Sequence, residues 1–312
     1  MSLPSPTLPT PDRATHPLSA GVCPIVLQAG ALTLSALVAR PATPPRATVV
    51  ALHGGGMSAG YFDGQAHPDL SLLVLGARLG YTVVAVDRPG YGLSAADLPR
   101  GQALSEQATT LRTALVHLGR RYDTGAGVFL LGHSFGGMLA LTYAASDEAS
   151  PSRLELLGLD VSGVGRDYIT PPDAVADPLG QRTTQRHWGP LRCYPPDTFR
   201  EAKVMVAPLP ERERAEAARW PQRFTATTGR VRVPARMTFA EHERWWRHGD
   251  EDIAGLPAQF TAAPSFEVGR QPGSGHNVSL GWTARTYHLR AFAFFDECLA
   301  RRTTTASAVT AR

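Results

Sequence analysis

Two hydrophobic patterns alternate along most of the chain. Short apolar runs, often β-branched, predict buried strands, and longer stretches with apolar residues three and four positions apart predict amphipathic helices. The predicted strands cover residues 31–39, 48–52, 82–86, 128–131 and 154–159, and the predicted helices cover residues 69–79, 103–121 and 137–145. Strand–helix–strand alternation of this kind predicts an α/β fold, with a mostly parallel sheet and helices on both faces.

The alternation breaks between residues 163 and 232. This segment holds nine prolines and one clear helical pattern, 211–220, in which opposite charges lie three residues apart. From residue 233 the alternation resumes, with predicted strands at 235–240 and 265–268 and a closing helix at 282–302. We therefore expect a core formed by 21–162 and 233–302 and an inserted lid formed by 163–232.

Both ends of the chain differ in composition from its middle. Residues 1–20 are rich in Pro, Ser and Thr, which predicts a disordered tail, and residues 303–312 predict a flexible tail. The first residues lack a basic start followed by an apolar core, so they do not match a secretory signal. No run approaches the roughly 18 apolar residues of a membrane span, and we expect a cytoplasmic protein without one.

Composition narrows the class of protein further. With 312 residues, 43% of them hydrophobic, the chain is long and apolar enough to bury a core. Its three cysteines, Cys23, Cys193 and Cys298, lie far apart and show no CxxC spacing. The sequence therefore predicts neither a disulfide framework nor a metal site.

The net charge of +4 is unevenly distributed. The predicted lid holds twelve basic and eight acidic residues, so its surplus equals that of the whole chain. No motif for binding DNA or RNA accompanies the basic residues, and we expect no nucleic-acid partner. The local surplus predicts that the lid attracts an anionic substrate or an acidic acyl carrier.

The strongest chemical signal is GHSFGG at 132–137, which fits the pattern G-x-S-x-G. A predicted buried strand comes directly before it and a helix of small residues directly after it, which is the context that this motif requires. Glycines beside a sharp strand-to-helix turn remove the clashes that would forbid it. The sequence therefore predicts that Ser134 is a nucleophile at the start of a helix.

A second glycine run, HGGG at 53–56, follows the strand 48–52. Such a loop can place a backbone N–H against a substrate oxygen. We predict an oxyanion hole from the N–H groups of Gly55 and Phe135, with Gly54 and Gly56 as alternatives to Gly55. His53 is interpreted as a structural residue that holds the loop.

A serine nucleophile needs a base and an acid that orients the base. His276 lies between the last predicted strand and the last helix, and it is the preferred base. The acid is expected after the strand 235–240, where Glu241 and Glu243 follow. Glu243 is favoured because it falls where a longer turn would place it, and Glu241 and Asp160 remain alternatives.

The order serine, acid, histidine resembles that of the α/β-hydrolase superfamily, and the resemblance covers about 25–299. The sequence DRPGYGLS at 87–94 is similar to a D-x-P-G-x-G-x-S turn of that family. In this context Arg88 is a candidate to border the pocket. The sequence departs from the family where an aspartate usually follows a strand that ends in glycine, because Ala240 and two glutamates occur here.

The resemblance implies a serine hydrolase that cleaves a carboxylic ester or thioester of a free or carrier-tethered acyl group, without a metal or organic cofactor. Acyl transfer or cyclisation by the same residues, or a non-hydrolytic lyase reaction, are the alternatives. Aromatic residues of the predicted lid, including Trp188 and Tyr194, are candidates to line an apolar substrate pocket. The sequence does not determine the oligomeric state.

Overall fold

The computed structural model describes residues 17–146, 154–169 and 183–310. Within these ranges, eight strands form one sheet in the order β1-β2-β4-β3-β5-β6-β7-β8. The strands are β1 (Cys23–Ala29), β2 (Leu32–Ala39), β3 (Thr48–Leu52), β4 (Thr82–Val86), β5 (Val128–His133), β6 (Leu156–Ser162), β7 (Ala235–His242) and β8 (Phe266–Gly275). β2 is antiparallel to both of its neighbours, and the pairings from β4 to β8 are parallel.

The connecting segments contain helices of very different length. These are α1 (Leu72–Arg78), α2 (Leu104–Arg121), α3 (Phe135–Ala145), α4 (Thr183–Trp188), α5 (Thr198–Glu201), α6 (Glu211–Thr228), α7 (Asp250–Ala254) and α8 (Ala284–Thr310). α4, α5 and α6 belong to the inserted segment between β6 and β7. None of the described helices is long and apolar enough to cross a membrane.

Two hydrophobic clusters cover the two faces of the sheet. In β3, Val50 and Leu52 belong to the cluster that includes α2 and α3, whereas Val49 and Ala51 belong to the cluster that includes α1 and α8. All five residues of β3 are buried. A strand covered on both faces needs apolar side chains at successive positions, which explains the continuous run and confirms the predicted α/β fold.

The observed elements differ from the predicted ones mainly at their ends. β8 continues to Gly275 and α6 continues to Thr228, well past their predicted ends. Pro221 lies inside α6, and buried packing of Phe224 compensates for the backbone hydrogen bond that a proline removes. β1 was not predicted. It is an edge strand, and it tolerates Pro24 because not every backbone N–H of an edge strand has to donate a hydrogen bond to a neighbouring strand.

The two predicted tails compare differently with the structure. α8 continues to Thr310, where the sequence predicted a flexible tail from residue 303. Extending an existing helix adds one hydrogen bond for each residue that is fixed, so polar residues can continue it. The disordered tail predicted for 1–20 falls mostly outside the described residues, as does part of the insertion, 170–182.

Candidate active site

Ser134 lies at the sharp turn between β5 and α3. Its backbone φ of 53° is positive, and it is the one non-glycine residue of the described ranges for which this holds. A side chain in this region of φ costs about 1–3 kcal/mol and persists only where the surroundings impose it. The turn places the serine side chain at the N-terminus of α3, where free N–H groups and the helix dipole favour negative charge.

The glycines on each side of Ser134 allow this turn. A Cβ atom on Gly132 would come within 2.5 Å of the carbonyl oxygen of Gly136, and a Cβ atom on Gly136 would overlap the carbonyl oxygen of Leu52. Neither backbone oxygen can move away without displacing a strand or the helix. The spacing G-x-S-x-G is therefore a packing requirement of the turn as well as a sequence signal.

Three side chains predicted from the sequence lie in hydrogen-bonding contact. The distance from His276 Nε2 to Ser134 Oγ is 3.2 Å. On the other side of the ring, His276 Nδ1 lies 2.8 Å from Glu243 Oε2 and 3.0 Å from Oε1. When Nδ1 carries the proton and donates a hydrogen bond to Glu243, the lone pair on Nε2 faces the serine hydroxyl.

Glu243 is fully buried, and its surroundings favour the carboxylate form. The backbone N–H groups of Arg244 and Trp245 both donate to Oε1 at 2.9 Å. Burial by itself raises the pKa of Glu243, but the charge and hydrogen bond of His276 and the two backbone hydrogen bonds outweigh it, so the pKa lies below its usual value. Glu243 is therefore a carboxylate, the form that accepts the hydrogen bond from Nδ1 of His276.

The two alternative acids lie elsewhere. Glu241 belongs to β7, its side chain is half exposed, and its Oε2 accepts a hydrogen bond from the N–H of Gly273 at 2.7 Å. Asp160 lies inside β6 instead of at its end, and it pairs with Arg236 at 2.5 Å and with the hydroxyl of Tyr287 at 2.7 Å. Neither carboxylate contacts a ring nitrogen of His276.

The glycine loop after β3 lies beside the start of α3. The N–H of Gly56 donates to the hydroxyl of Tyr91 at 3.0 Å, so it is already occupied. The N–H groups of Gly54, Gly55 and Phe135 donate to no acceptor among the described residues. A Cβ atom on Gly55 would lie 3.9 Å from Cβ of Phe135, so these two backbones approach each other closely.

Arg88 does not border the cavity, contrary to expectation. It is fully buried, and its Nε donates to the carbonyl of His53 while its two terminal nitrogens donate to Gly54, Gln107 and Glu213. A guanidinium has five N–H groups, and these contacts use all of them. Arg88 therefore ties the glycine loop to α6 and has no donor left for a substrate.

Replacing Arg88 is expected to destabilise the protein strongly. Arg88→Met leaves Glu213 buried without its partner, which costs about 3–5 kcal/mol in the free energy of unfolding. Urea unfolding followed by circular dichroism measures this loss. Arg212→Met is the matched control, because Arg212 and Glu106 form an exposed pair that contributes less than about 1 kcal/mol. Equal losses in the two variants would contradict the structural role of Arg88.

A cavity of about 680 Å³ opens beside Ser134 and His276. Its wall is mostly apolar and comes from both the core and the insertion, including Met138, Trp188, Leu209, Trp245 and Trp246. A cavity of this volume, largely apolar with few polar groups, is typical of a small-molecule site.

Trp188 lines the cavity, but Tyr194 does not. The Tyr194 ring is buried against Trp188 and Phe199, with ring centroids 5.1 and 5.9 Å apart. It supports the wall from behind because an edge-to-face aromatic cluster fills the space under the insertion.

His187 and Asn277 also line the cavity and were not predicted from the sequence. The side-chain amide of Asn277 donates to the carbonyl of His187 at 2.9 Å, which joins the insertion to the segment beside His276. Burial, together with the nearby His276, lowers the pKa of His187 to about 4. His187 is therefore neutral near pH 7, and no local sequence pattern distinguishes it from the other histidines.

Comparison with known protein families gives one match across most of the chain. Residues 49–289 match the model described as the alpha/beta hydrolase family. This range includes both glycine motifs, the insertion and all three contacting side chains.

Several solved structures share this fold, and they are described as different kinds of hydrolase. A highly thermostable carboxyl esterase from Bacillus coagulans is 18% identical, with a TM-score of 0.67 over 90% of this chain and 100% of that one. A putative lipase from Acinetobacter baumannii is also 18% identical, with a TM-score of 0.64 over 90% and 93% of the two chains. E-2-(acetamidomethylene)succinate hydrolase is 19% identical, with a TM-score of 0.61 over 88% and 99%. At this identity the likeness establishes the fold.

Proposed function

Since the chain belongs to the alpha/beta hydrolase family, as its sequence motifs indicated, we propose that it is a serine hydrolase of carboxylic esters or thioesters. The observation that carries this proposal is the continuous contact from Ser134 through His276 to Glu243 beside an apolar cavity. These contacts match the nucleophile, base and orienting acid that acyl transfer requires. The esterase and lipase among the solved structures of the same fold agree with this class of reaction.

The first half of the proposed reaction forms an acyl-enzyme. Ser134 Oγ attacks the substrate carbonyl carbon while His276 Nε2 takes the hydroxyl proton. The carbonyl oxygen becomes an oxyanion, and the free N–H groups of Gly55 and Phe135 are the proposed donors to it. His276 then donates the proton to the leaving oxygen or sulfur, the bond to the leaving group breaks, and the acyl group stays on Ser134.

The second half releases the acid. A water molecule attacks the acyl carbon and His276 takes a proton from it. Collapse of the second tetrahedral intermediate breaks the bond to Ser134 Oγ, and His276 returns the proton to the serine. Throughout both halves, Glu243 holds the ring orientation and stabilises the imidazolium, without taking the proton itself.

The insertion is proposed to act as a lid that shapes the substrate pocket. It contributes Trp188 and Leu209 to the cavity wall, and the N–H of Ala207 donates to the carbonyl of Gly56 at 2.9 Å. This hydrogen bond attaches the insertion to the proposed oxyanion loop. The apolar lining of the cavity fits an acyl or leaving group of small to medium size.

The proposed function is tested with an activity probe and a substrate series. We expect a fluorophosphonate to label the protein once, at Ser134, and we expect turnover of p-nitrophenyl esters and matched acyl thioesters of graded chain length. Absence of labelling would rule out an activated serine. Labelling without hydrolysis of any ester or thioester would instead point to acyl transfer to an alcohol or amine.

A further inference from the structure

The cavity wall holds buried hydrogen-bond donors without partners. Arg214 and Trp245 both line the cavity, and the buried nitrogens Arg214 Nε and Trp245 Nε1 make no hydrogen bond within the described part of the chain. Both groups can only donate. His133 Nε2 is the remaining such atom of the wall, and it takes either role according to its tautomer. An occupant of this cavity therefore gains most if it supplies acceptors.

The carboxylate of Glu213 in the same wall is already paired. Glu213 accepts hydrogen bonds from Arg88, Tyr91 and Gln107 at 2.5–3.0 Å. The pairing with Arg88 cancels its charge, so Glu213 does not serve as the partner of the neighbouring Arg214. Among the described residues of the wall, the guanidinium of Arg214 is thus a charged group without a direct ion-pair partner.

Arg214 also lies where a cation does little for the helix. It is the fourth residue of α6, and the positive end of a helix dipole disfavours cations in the first turn. Two other arginines of α6 have carboxylate partners, Arg212 with Glu106 and Arg223 with Glu216, whereas Arg219 is exposed to solvent. Arg214 forms no direct ion pair within the described ranges, although Glu211, three residues earlier in α6, attracts it electrostatically.

We propose that Arg214 determines substrate specificity by binding a carboxylate group of the substrate. This inference rests on the proposed function and narrows its substrates to esters or thioesters that carry a carboxylate. A half-buried guanidinium presents a planar fork that binds a carboxylate through two parallel hydrogen bonds. Because Arg214 is partly buried, such charge-assisted bonds are stronger there than on a fully exposed surface.

The proposal assigns a role in the cavity to one arginine of the basic surplus in the insertion. The sequence alone predicted attraction of an anion by the summed charge of the segment. In the structure, several of those arginines form ion pairs outside the cavity, whereas Arg214 contributes to its wall. A contact inside the cavity predicts selectivity for one substrate group, which long-range attraction does not.

Two matched substrate pairs test the proposal. In one pair, mono-p-nitrophenyl glutarate is compared with p-nitrophenyl pentanoate, which places the carboxylate on the acyl side. In the other, 5-acetoxy-2-nitrobenzoate is compared with p-nitrophenyl acetate, which places it on the leaving-group side. We expect the wild type to prefer the charged member of at least one pair by about tenfold or more in kcat/KM.

Variants then locate the source of the preference. Arg214→Met is expected to lower the ratio of kcat/KM for the charged member to kcat/KM for its neutral partner to about one, and Arg214→Lys is expected to retain part of the preference because an ammonium lacks the planar fork. Arg219→Met is the matched control, since it removes an exposed cation of the same helix that does not line the cavity. A preference that survives in Arg214→Met, or that is lost equally in Arg219→Met, would overturn the proposal.

Failure of the proposed function is distinguishable from failure of this inference. A wild type that is labelled at Ser134 and hydrolyses neutral esters, but shows no preference in either pair, overturns the carboxylate site alone. If no ester is hydrolysed, calorimetric titration with glutaramate, which keeps the carboxylate and replaces the ester by an amide, still decides. Binding that is lost in Arg214→Met supports the site, and equal or absent binding in both proteins rejects it.

Discussion

Ser134→Ala is expected to abolish labelling by a fluorophosphonate and to lower kcat for ester hydrolysis by about a millionfold. The variant loses the atom proposed to attack the carbonyl, so neither His276 nor the proposed backbone donors have an intermediate to stabilise. The fold should persist, because alanine keeps the backbone turn and removes one hydroxyl. Labelling is measured by intact-protein mass spectrometry, and kcat is measured on the best p-nitrophenyl ester.

The matched control is Ser279→Ala. Ser279 is another buried serine whose hydroxyl contacts a histidine ring, at 3.0 Å from His288 Nε2. It is expected to label like the wild type, because His288 is buried and has no carboxylate partner in the described ranges to orient it as a base. Hydrolysis by Ser134→Ala above about 1% of the wild-type rate would contradict the assignment of the nucleophile, provided that the melting temperatures agree.

Glu243→Gln is expected to lower kcat by about 10³–10⁴-fold with little change in fold. The amide has nearly the same shape, but its NH₂ group cannot accept a hydrogen bond from the Nδ1–H of His276. The ring then favours the tautomer with its proton on Nε2, which faces Ser134 and cannot take the hydroxyl proton. Steady-state kinetics at several pH values, together with the rate of fluorophosphonate labelling, measures this loss.

Two other carboxylates provide the controls for the acid. Glu241→Gln is expected to change kcat less than about fivefold, because Glu241 contacts the N–H of Gly273 and not His276. Asp160→Asn is expected to lower the melting temperature, since Arg236 and Tyr287 lose a charged partner, and to leave the labelling rate nearly unchanged. A larger loss of kcat in either control than in Glu243→Gln would refute Glu243 as the orienting acid.

Much of the fold was predictable because its signals are local. β3 and β4 were predicted with their observed bounds, since strands buried on both faces must be continuously apolar. The turn at Ser134 was predictable because a strained turn admits only glycine at its contact points. His276 could be proposed as the base because it follows the last predicted strand and precedes the last helix, and the structure places its Nε2 3.2 Å from Ser134 Oγ. In each case a few neighbouring residues carry the physical constraint.

Prediction was weaker where an element depends on distant partners. The second half of α6 is helical despite Pro221 because Trp220 and Phe224 are buried in the core. β1 carries a weak local signal and is held by pairing with β2. Propensity alone underestimates both, because tertiary packing supplies their stability.

The choice among the three candidate acids shows where local sequence information ends and the tertiary structure is needed. Residue types and order limited the acid to Glu241, Glu243 or Asp160, but side-chain direction depends on the end of β7. An irregularity between Ala240 and His242 ends its regular pairing with β8, and the N–H of Glu243 then bonds to the carbonyl of Ala240. This turn directs Glu243 to His276, whereas Glu241 still belongs to the strand and contacts Gly273.

By itself, the sequence determined the α/β order of elements, the serine turn and the candidate base of this protein, because each depends on periodicity or on glycines within a few residues. Only the tertiary structure decided which carboxylate contacts His276, and that Arg88 is saturated by partners including Glu213, 125 residues away. The tertiary structure also placed Arg214 in the cavity wall without a direct ion-pair partner among the described residues. Such roles depend on which donors and acceptors meet across the fold, and chain order does not specify those distances.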